Sequence, residues 1–148
     1  MRVVVQRVSR AAVRVDGETI AAIGRGLLLL VGFTRDDGEE AIAWMAEKVT
    51  HLRIFDDDAG KLNRSLLDVG GQALAVSQFT LYGDARKGRR PSFDESAPAD
   101  IARPLFEKFV NQLSSRGILT AVGRFQAIMH VELVNDGPVT ILLESPRA

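Results

Sequence analysis

One run of the chain, Leu27-Leu28-Leu29-Leu30-Val31, is continuously apolar and constrains the fold more than any other feature. Successive side chains of a strand point to opposite faces, so a half-exposed strand carries a polar residue at every second position. This run carries none, which predicts a strand that is buried on both faces of a sheet. Five residues are also far too few to cross a bilayer. The sequence therefore predicts a layered globular fold.

Length and composition predict one domain, residues 1–148, without linkers or repeats. Nineteen Lys and Arg residues balance nineteen Asp and Glu residues, so overall charge favours neither a membrane nor DNA, and a nucleic acid would need a local patch. There is no cysteine, which excludes disulfides, thiolate nucleophiles and sulfur-bound metals. The N-terminal residues carry arginines where a signal peptide would be apolar, so we expect a cytoplasmic protein.

Hydrophobic periodicity and turn residues predict two helices and about seven strands. The first helix spans 38–52, with Asp37 and Glu40 as a capping box. The second begins at Pro98 and ends at Gly117, with a kinked or separate first turn at Pro104. Strands are predicted at 2–15, 18–23, 26–33, 52–55, 72–82, 118–123, 127–134 and 139–143. The expected fold class is an α/β or α+β sandwich built on a mixed sheet.

The stretch VELVNDGPVTILLE places Gly137-Pro138 between two alternating apolar runs, which predicts a hairpin loop. A proline after the glycine removes a backbone donor where the next strand begins. A trans bond would make a rigid turn, whereas a cis bond would set consecutive carbonyl oxygens side by side, suited to an amino acid's ammonium group. Because Gly137 lacks a Cβ, such a turn could tell mirror images apart with main-chain atoms alone.

Side-chain catalysts are scarce in this sequence. The two histidines, His51 and His130, fall on a helix end and on a strand, where a structural role is more frequent than a catalytic one. No spacing of His, Asp or Glu suggests a metal site, and no glycine-rich loop suggests a phosphate-binding cofactor. We therefore expect neither a metal nor a cofactor.

Two stretches could bind a substrate. Ser77, Gln78 and Thr80 offer hydroxyls, an amide and backbone N–H groups that could hold an oxyanion, although a polar strand end would look the same. Four cations in five positions, Arg86, Lys87, Arg89 and Arg90, form a patch that could bind phosphates, with Phe79 or Phe93 stacking a base. The alternative is a solvated loop balanced by Asp84 and Asp94.

These stretches in combination, SQFTLYGD, RKGRRPSF and NDGPVT, together with LNRSLLDVGG, resemble the D-aminoacyl-tRNA deacylases over essentially the whole chain. The resemblance implies a strongly curved mixed sheet and a cytoplasmic homodimer without a cofactor. It also implies hydrolysis of the ester of D-aminoacyl-tRNA, or of mischarged glycyl-tRNA, at the dimer interface. A cis Gly137-Pro138 of one subunit would enter the other subunit's pocket and reject L-amino acids. Ser77, Gln78, Phe79 and Thr80 match the pocket wall.

The same resemblance assigns further roles. Arg7 matches a position that orients the Gly-Pro carbonyls, and Met129 and Phe125 lie near the substrate. The catalytic residues that it implies are Ser77, Gln78 and Thr80. In one mechanism the Thr80 hydroxyl is the nucleophile, and in the other the reaction uses backbone donors and a hydroxyl of the tRNA's own ribose. We favour the second, because no base is visible to activate Thr80. One departure is Gln126, where the family usually has glycine, which affects the fit of the terminal adenosine.

Two other functions remain open. The chain could be a non-catalytic tRNA- or RNA-binding module that uses residues 86–90. It could also be a general carboxylesterase with Thr80 as its nucleophile. The binding module would not hydrolyse a D-aminoacyl ester, and the carboxylesterase would hydrolyse small esters without tRNA.

Overall fold

The predicted double-faced strand is β3, Gly26–Gly32, at the centre of a mixed sheet in a computed structural model that describes residues 1–147. Its neighbours in the sheet are β1 (Arg2–Val15) on one side and β6 (Gln72–Ser77) on the other. The β1–β3 pair is antiparallel and the β3–β6 pair is parallel. Strands β2 (Glu18–Ile23) and β7 (Thr120–Val122) extend the sheet at its ends.

Two cores explain why β3 has no polar face. Leu27 and Leu29 face a large core that α1 (Glu39–His51) and α3 (Ala99–Ser115) cover. Leu28 points to a smaller core on the opposite side of the sheet. Since the sheet curls around this second core, it is nearly closed, and the predicted mixed α+β fold with helices packed on a strongly curved sheet is confirmed.

The predicted hairpin at Asp16-Gly17 is present, with both residues in the left-handed region. Helix α1 starts one residue later than predicted, and its N-cap is Gly38 rather than Asp37. The Asp37 carboxylate instead accepts a hydrogen bond from the Thr34 N–H at 2.7 Å, so the predicted capping box is wrong. Because α3 runs through Pro104 without interruption, the predicted separate first turn is also wrong.

Several short elements differ from the sequence prediction. The strand expected at 52–55 is reduced to β4 (Phe55–Asp56), which pairs with β5 (Leu62–Arg64) in a small separate ribbon. The one-turn helix α2 (Leu66–Val69) was not predicted, although Ser65 and Asp68 form a capping box at its start. The strand predicted to run from 72 to 82 ends at Ser77.

The strands predicted at 127–134 and 139–143 are one continuous strand, β8 (His130–Glu144). Both halves of β8 pair antiparallel with β1, so the chain does not reverse between them and the predicted hairpin is wrong. Gln6 is paired with Thr140 and Val8 with Asn135, which leaves residues 136–139 opposite the single residue Arg7. Gly137-Pro138 therefore lies in an outward bulge of an edge strand.

Strand β1 changes the face it presents at this bulge. Val3 and Val5 belong to the helix-covered core, whereas Val8 and Val13 belong to the smaller core. Val5 and Val13 are both odd-numbered and would share a face on a regular strand. The register irregularities on either side of Val8 shift the alternation, so one strand serves both cores.

Candidate active site

A cleft of about 700 Å³ opens where β6 ends, between that strand end and the segment that leads into β8. Its near wall is formed by Ser77, Gln78 and Phe79, and its far wall by Phe125 and the residues up to Met129. The lining is completed by Val76, Phe93, Ser96, Ala97, Pro98, Ala99, Ala102, Gln126, Ala127, Ile128 and Val131. The cleft is mainly apolar with a few polar groups along one wall, which is typical of a binding site for an organic ligand.

A sharp turn after β6 exposes the polar wall. Gln78 leaves the strand conformation and donates its N–H to the Val31 carbonyl at 2.7 Å, and residues Phe79–Tyr82 then form a 3₁₀ turn. The first N–H groups of such a turn have no carbonyl within it to bond. Within residues 1–147, the N–H groups of Phe79 and Thr80 have no acceptor. One free backbone donor thus lies in the cleft wall, at Phe79, and a second lies beside it, at Thr80.

The side chains of this wall include no acid–base pair. Thr80 is exposed, does not line the cleft, and has its hydroxyl in a close hydrogen bond with the Gln78 amide. His51 lies on α1 beside Glu47, and His130 lies at the start of β8 opposite Arg14. Neither histidine lines the cleft, which is also without Asp or Glu, and within residues 1–147 the Thr80 hydroxyl is hydrogen-bonded to the Gln78 amide alone.

Aromatic rings frame the mouth of the cleft. Phe79 and Phe93 meet edge to face with their ring centres 5.2 Å apart, and both remain partly exposed. The Ser96 hydroxyl donates to the Phe79 carbonyl at 3.0 Å and fixes the near rim. On the far rim, the Arg103 guanidinium lies 4.7 Å from the centre of the Phe125 ring. Flat rings that are half in water suit the stacking of a nucleic-acid base.

The far wall depends on two unusual backbone positions. Gln126 has a φ of +61°, a left-handed conformation that glycine adopts more readily. Its side-chain oxygen accepts a hydrogen bond of 3.4 Å from Arg103. At Gly123, a Cβ would lie 2.8 Å from the sulfur of Met129, so a larger residue there would displace the end of that flexible side chain. Gln126 itself lines the cleft and lies at its mouth.

Gly137-Pro138 has a cis peptide bond and lies away from the cleft. The Arg7 Nε donates to the carbonyl of Asp136 at 2.9 Å, and Arg7 Nη1 donates to the Ile54 carbonyl at 2.9 Å. The Asp56 carboxylate is 3.4 Å from the same Nη1. Arg7 is only 7% exposed, so this guanidinium ties the bulge to the segment before β4.

The bulge and the cleft are distant within one chain. Strands β8, β1, β3 and β6 are successive neighbours, so three strand spacings, about 14 Å measured along the curved sheet, lie between the bulge and β6. Arg7 pairs with Leu27 of β3, which in turn pairs with Ala73 of β6. Ala73 comes four residues before Ser77, so the bulge and the cleft wall are also offset by roughly 13 Å along the strand direction. Gly137 of a single chain therefore does not reach the wall of its own cleft.

The basic loop lies on the near side of the cleft. Arg86 is engaged by Asp84 through two side-chain hydrogen bonds of 2.9 and 2.7 Å. These bonds, with one from the Arg86 N–H, lower the pKa of the Asp84 carboxyl to about 2. Lys87, Arg89 and Arg90 are exposed. Within residues 1–147, no group of three or more His, Asp or Glu side chains could hold a metal ion.

The chain is similar to known proteins over almost its whole length. Residues 4–144 match the sequence model of the family described as D-Tyr-tRNA(Tyr) deacylase. The chain belongs to this family. A relative named D-aminoacyl-tRNA deacylase from Roseiflexus castenholzii is 61% identical over 145 residues, 98% of this chain and 92% of the relative. One of the same name from Geobacter metallireducens is 57% identical over 100% of this chain and 98% of its own length.

Two solved structures share the fold of this chain. One described as c-Myc DNA Unwinding Element Binding Protein is 43% identical, with a TM-score of 0.94, over 99% of this chain and 100% of its own. Another, described as a probable eukaryotic D-amino acid tRNA deacylase, has a TM-score of 0.84 over 96% and 97% of the two chains. At 20% identity, the second shows the shared fold alone. The family and enzyme class predicted from the sequence are confirmed.

The structure of this deacylase-family chain divides the predicted site residues into three groups. Ser77, Gln78, Phe79, Phe125 and Met129 line one cleft, and Thr80 is adjacent to it. Arg7, Gly137 and Pro138 form a second group on the edge strand. Arg86, Lys87, Arg89 and Arg90 form the exposed loop. Sequence reasoning did not find the contacts of Asp56 with Arg7 or of Arg103 with Phe125. No spacing signals either contact.

No helix within residues 1–147 has both the length and the apolar character needed to cross a bilayer.

Proposed function

We propose that this chain hydrolyses the ester bond between a D-amino acid and the terminal adenosine of tRNA, releasing free D-amino acid and tRNA. The supporting observation is a cleft with unpaired backbone donors, polar side chains and stacking rings, but no nucleophile–base pair, in a member of a deacylase family. A cleft of this kind stabilises a transition state and leaves proton transfer to the substrate and water.

The chemistry assigned to the near wall is that of an oxyanion site. Water attacks the ester carbonyl carbon, and the N–H groups of Phe79 and Thr80 hold the oxygen that becomes negative. The carbon–oxygen bond to the ribose then breaks, and the departing oxygen takes the proton that the water loses, so that the ribose hydroxyl is restored. We infer that the neighbouring ribose hydroxyl relays this proton, since Thr80 has no described base. The Gln78 amide orients the Thr80 hydroxyl.

The terminal adenosine is assigned to the aromatic rim. Phe79 and Phe93 are exposed enough for a base to stack on them, and Phe125 with Met129 provides the opposite apolar wall. Gln126 stands beside that wall and adds a polar group at the mouth. We infer that this residue alters the affinity for the adenosine and leaves the choice between mirror forms unchanged.

We assign the choice between mirror forms to Gly137-Pro138. Arg7 holds the Asp136 carbonyl from one side and fixes the bulge, and the Gly137 φ of +134° suits glycine only. Main-chain carbonyls of the bulge would accept the substrate ammonium, while the backbone leaves no room for an L side chain. Glycine has no side chain to exclude, so glycyl-tRNA would also be a substrate.

We infer that a second copy of the chain completes the site, because the bulge does not reach the cleft of its own chain. Among the described strands, β8 pairs only with β1 and leaves its other edge open over fifteen residues. Leu142 on this strand is 77% exposed and Val134 is 40% exposed. The inward residues of β8 are only half-buried. A long apolar edge of this kind is stable in water when a partner covers it, and a twofold homodimer covers both copies.

The proposed partners are thus an aminoacyl-tRNA and a second copy of the chain, with no cofactor and no membrane. The name of one structural neighbour refers to DNA, but this chain has zero net charge and no general attraction for a duplex. Since aminoacyl-tRNA is used where translation takes place, we propose a cytoplasmic enzyme.

The experiment is hydrolysis of D-tyrosyl-tRNA and L-tyrosyl-tRNA by the purified protein, measured side by side as released tyrosine. We expect turnover of the D form at least about 100 times faster than the L form, equivalent to roughly 2.7 kcal/mol of discrimination. Equal turnover of both forms would reject the selector role of the bulge. Binding without release would favour an RNA-binding module, and rapid hydrolysis of small esters without tRNA would favour a general carboxylesterase.

A further inference from the structure

The loop that follows the 3₁₀ turn is a closed, strongly basic structure. Backbone hydrogen bonds between Asp84 and Ser92, of 2.7 and 2.8 Å, close its base. The seven residues between them carry four cations and no acid. Gly88, with a φ of +69°, turns the loop at its centre. This loop is therefore a defined projection from the sheet.

Three of its cations have no counter-charge. Arg86 is neutralised by Asp84, but within residues 1–147 Lys87, Arg89 and Arg90 make no ion pair. In a chain of zero net charge, three exposed and unpaired cations within four positions make a local positive potential. An anion with several charges in a row fits this arrangement better than a single carboxylate does.

The loop is also attached to the cleft. Phe93 follows its closing residue, lines the cleft and contacts Phe79 edge to face at 5.2 Å. The Cα of Arg90 is three residues from that of Phe93 and lies within roughly 11 Å of it. A chain that leaves the cleft past the Phe79–Phe93 rim would therefore pass near Arg90, and Lys87 and Arg89 lie on the same loop.

We propose that Lys87, Arg89 and Arg90 bind the phosphates of the tRNA strand that leads into the cleft, in the nucleotides just before the terminal adenosine. This inference rests on the proposed function, which places that adenosine at the Phe79–Phe93 rim. Guanidinium groups hold phosphate oxygens in pairs, and lysine adds a point charge. Phosphate contacts position a strand without reading its sequence, so one loop serves tRNAs that carry different amino acids.

The test compares two D-tyrosyl esters, one on full-length tRNA and one on adenosine alone. In the triple variant Lys87→Gln, Arg89→Gln, Arg90→Gln, we expect kcat/KM for the tRNA ester to fall roughly tenfold or more at about 0.1 M salt. The adenosine ester should change less than about twofold. The salt dependence of tRNA binding should weaken, with the logarithmic slope smaller by about 2 for three lost contacts to a single strand.

A matched control removes the same charge elsewhere. Lys48, Lys61 and Lys108 are exposed on α1, on the turn before β5 and on α3, and do not line the cleft. Replacing all three with Gln should leave kcat/KM for the tRNA ester within about twofold of the unmodified protein. An equal loss in both triple variants would mean that only net charge matters, and it would overturn the proposal.

Other outcomes are also decisive. Equal losses on both esters would mean that the loop acts by shaping the cleft, and no loss on the tRNA ester would mean that it makes no contact; either result overturns the proposal. Binding of uncharged tRNA to the two triple variants, measured by filter retention, decides the role of the loop even if neither ester is hydrolysed. The absence of hydrolysis by the unmodified protein would refute the proposed function instead.

Discussion

The cleft at the end of β6 and the bulge of β8 are the two halves of the proposed site, and they are held in different ways. The strand that leads to Ser77 lies inside the sheet, with Ala73, Leu74, Ala75 and Val76 fully buried on its two faces. The bulge at Gly137 lies on an edge strand and is tied to the rest of the chain by the Arg7 side chain. The fold thus preforms the cleft, whereas the position of the bulge depends on one guanidinium and, in the proposed dimer, on the partner that covers the edge.

The largest loss of stability and of activity should come from removing the Arg7 side chain, which holds the bulge in place. Arg7→Ala removes the hydrogen bonds to the carbonyls of Asp136 and Ile54 and leaves both acceptors unpaired. We expect the free energy of unfolding to fall by about 2–4 kcal/mol and D-tyrosyl-tRNA turnover to fall at least roughly 100-fold. Urea denaturation and kcat/KM measure the two effects.

The control is on the same strand. Arg14 forms an exposed ion pair with Glu132 at 3.4 Å, so Arg14→Ala should change stability by less than about 0.5 kcal/mol and leave turnover unchanged. If Arg7→Ala lost stability but kept full turnover and full discrimination, the bulge would be positioned by something other than this arginine.

A smaller loss of stability and of turnover should follow when the bulge itself is altered and Arg7 is kept. At Gly137 a Cβ would lie 2.9 Å from Val139 Cγ2 and 3.0 Å from Arg7 Nη2, at a φ of +134°. Gly137→Ala should reduce the free energy of unfolding by about 1–3 kcal/mol and reduce D-tyrosyl-tRNA turnover by roughly tenfold or more. Thermal unfolding and single-turnover hydrolysis would measure these changes.

Gly60→Ala separates backbone strain from local crowding. Gly60 also has a positive φ, +78°, but a Cβ there meets nothing within 4 Å. This variant should lose only about 1 kcal/mol of stability and no activity. Matching losses of turnover in both variants would show that stability alone limits the enzyme, and would remove the special role of Gly137.

On the cleft side, a stabilising change should be available. Tyr82 ends the 3₁₀ turn, is 1% exposed, and its buried hydroxyl has no hydrogen-bond partner within residues 1–147. Tyr82→Phe removes this unpaired group, so we expect a gain of about 1 kcal/mol in the free energy of unfolding. Denaturation midpoints of the two proteins at neutral pH measure the gain, and a loss of stability would reveal a partner for the hydroxyl.

The same tyrosine predicts a pH dependence. Burial raises the pKa of the Tyr82 phenol well above its ordinary value, so the folded chain keeps the proton at pH values where the unfolded chain releases it. This contribution to stability is complete below about pH 10 and is lost as the pH rises further. Tyr82 is the only tyrosine, so tyrosinate absorbance reports it directly, and ionisation before unfolding would contradict the prediction.

The smallest effect is expected at Thr80. Its hydroxyl is exposed and bonded to Gln78, and no described base is near it. Thr80→Ala should therefore reduce turnover of D-tyrosyl-tRNA by less than about fivefold, with stability within about 0.5 kcal/mol. A loss of roughly a thousandfold or more in single-turnover hydrolysis would identify the hydroxyl as a nucleophile.

The buried elements could be predicted from the sequence because buried side chains recur with the period of the helix or strand that carries them. The run at 27–31 predicted its two-sided strand, and the spacing of Ile42, Met45 and Val49 predicted a helix with one buried face. The capping box at Asp37 was wrong because a carboxylate near a helix start can bond to an earlier N–H equally well, as it does with Thr34.

The site was less readable, for physical reasons. Asn135-Asp136-Gly137-Pro138 carries the same turn signal whether the chain reverses or bulges outward, and only the pairing of both flanks with β1 decides between them. The end of β6 at Ser77 depends on the hydrogen bond from Gln78 to Val31, which no local pattern records. The hydrogen bond from Arg7 to the Ile54 carbonyl joins residues that are 47 positions apart, and no local pattern in a single sequence predicts such a contact.

The change of face along β1 limits how this chain can vary in length. Deleting or inserting one residue between Val5 and Arg7 would either turn Val3 and Val5 out of the helix-covered core or move Arg7 away from the four residues that it faces. The basic loop at 85–91 has no such restriction, since its ends are joined by one pair of hydrogen bonds. Length variation is therefore compatible with that loop and incompatible with the first strand.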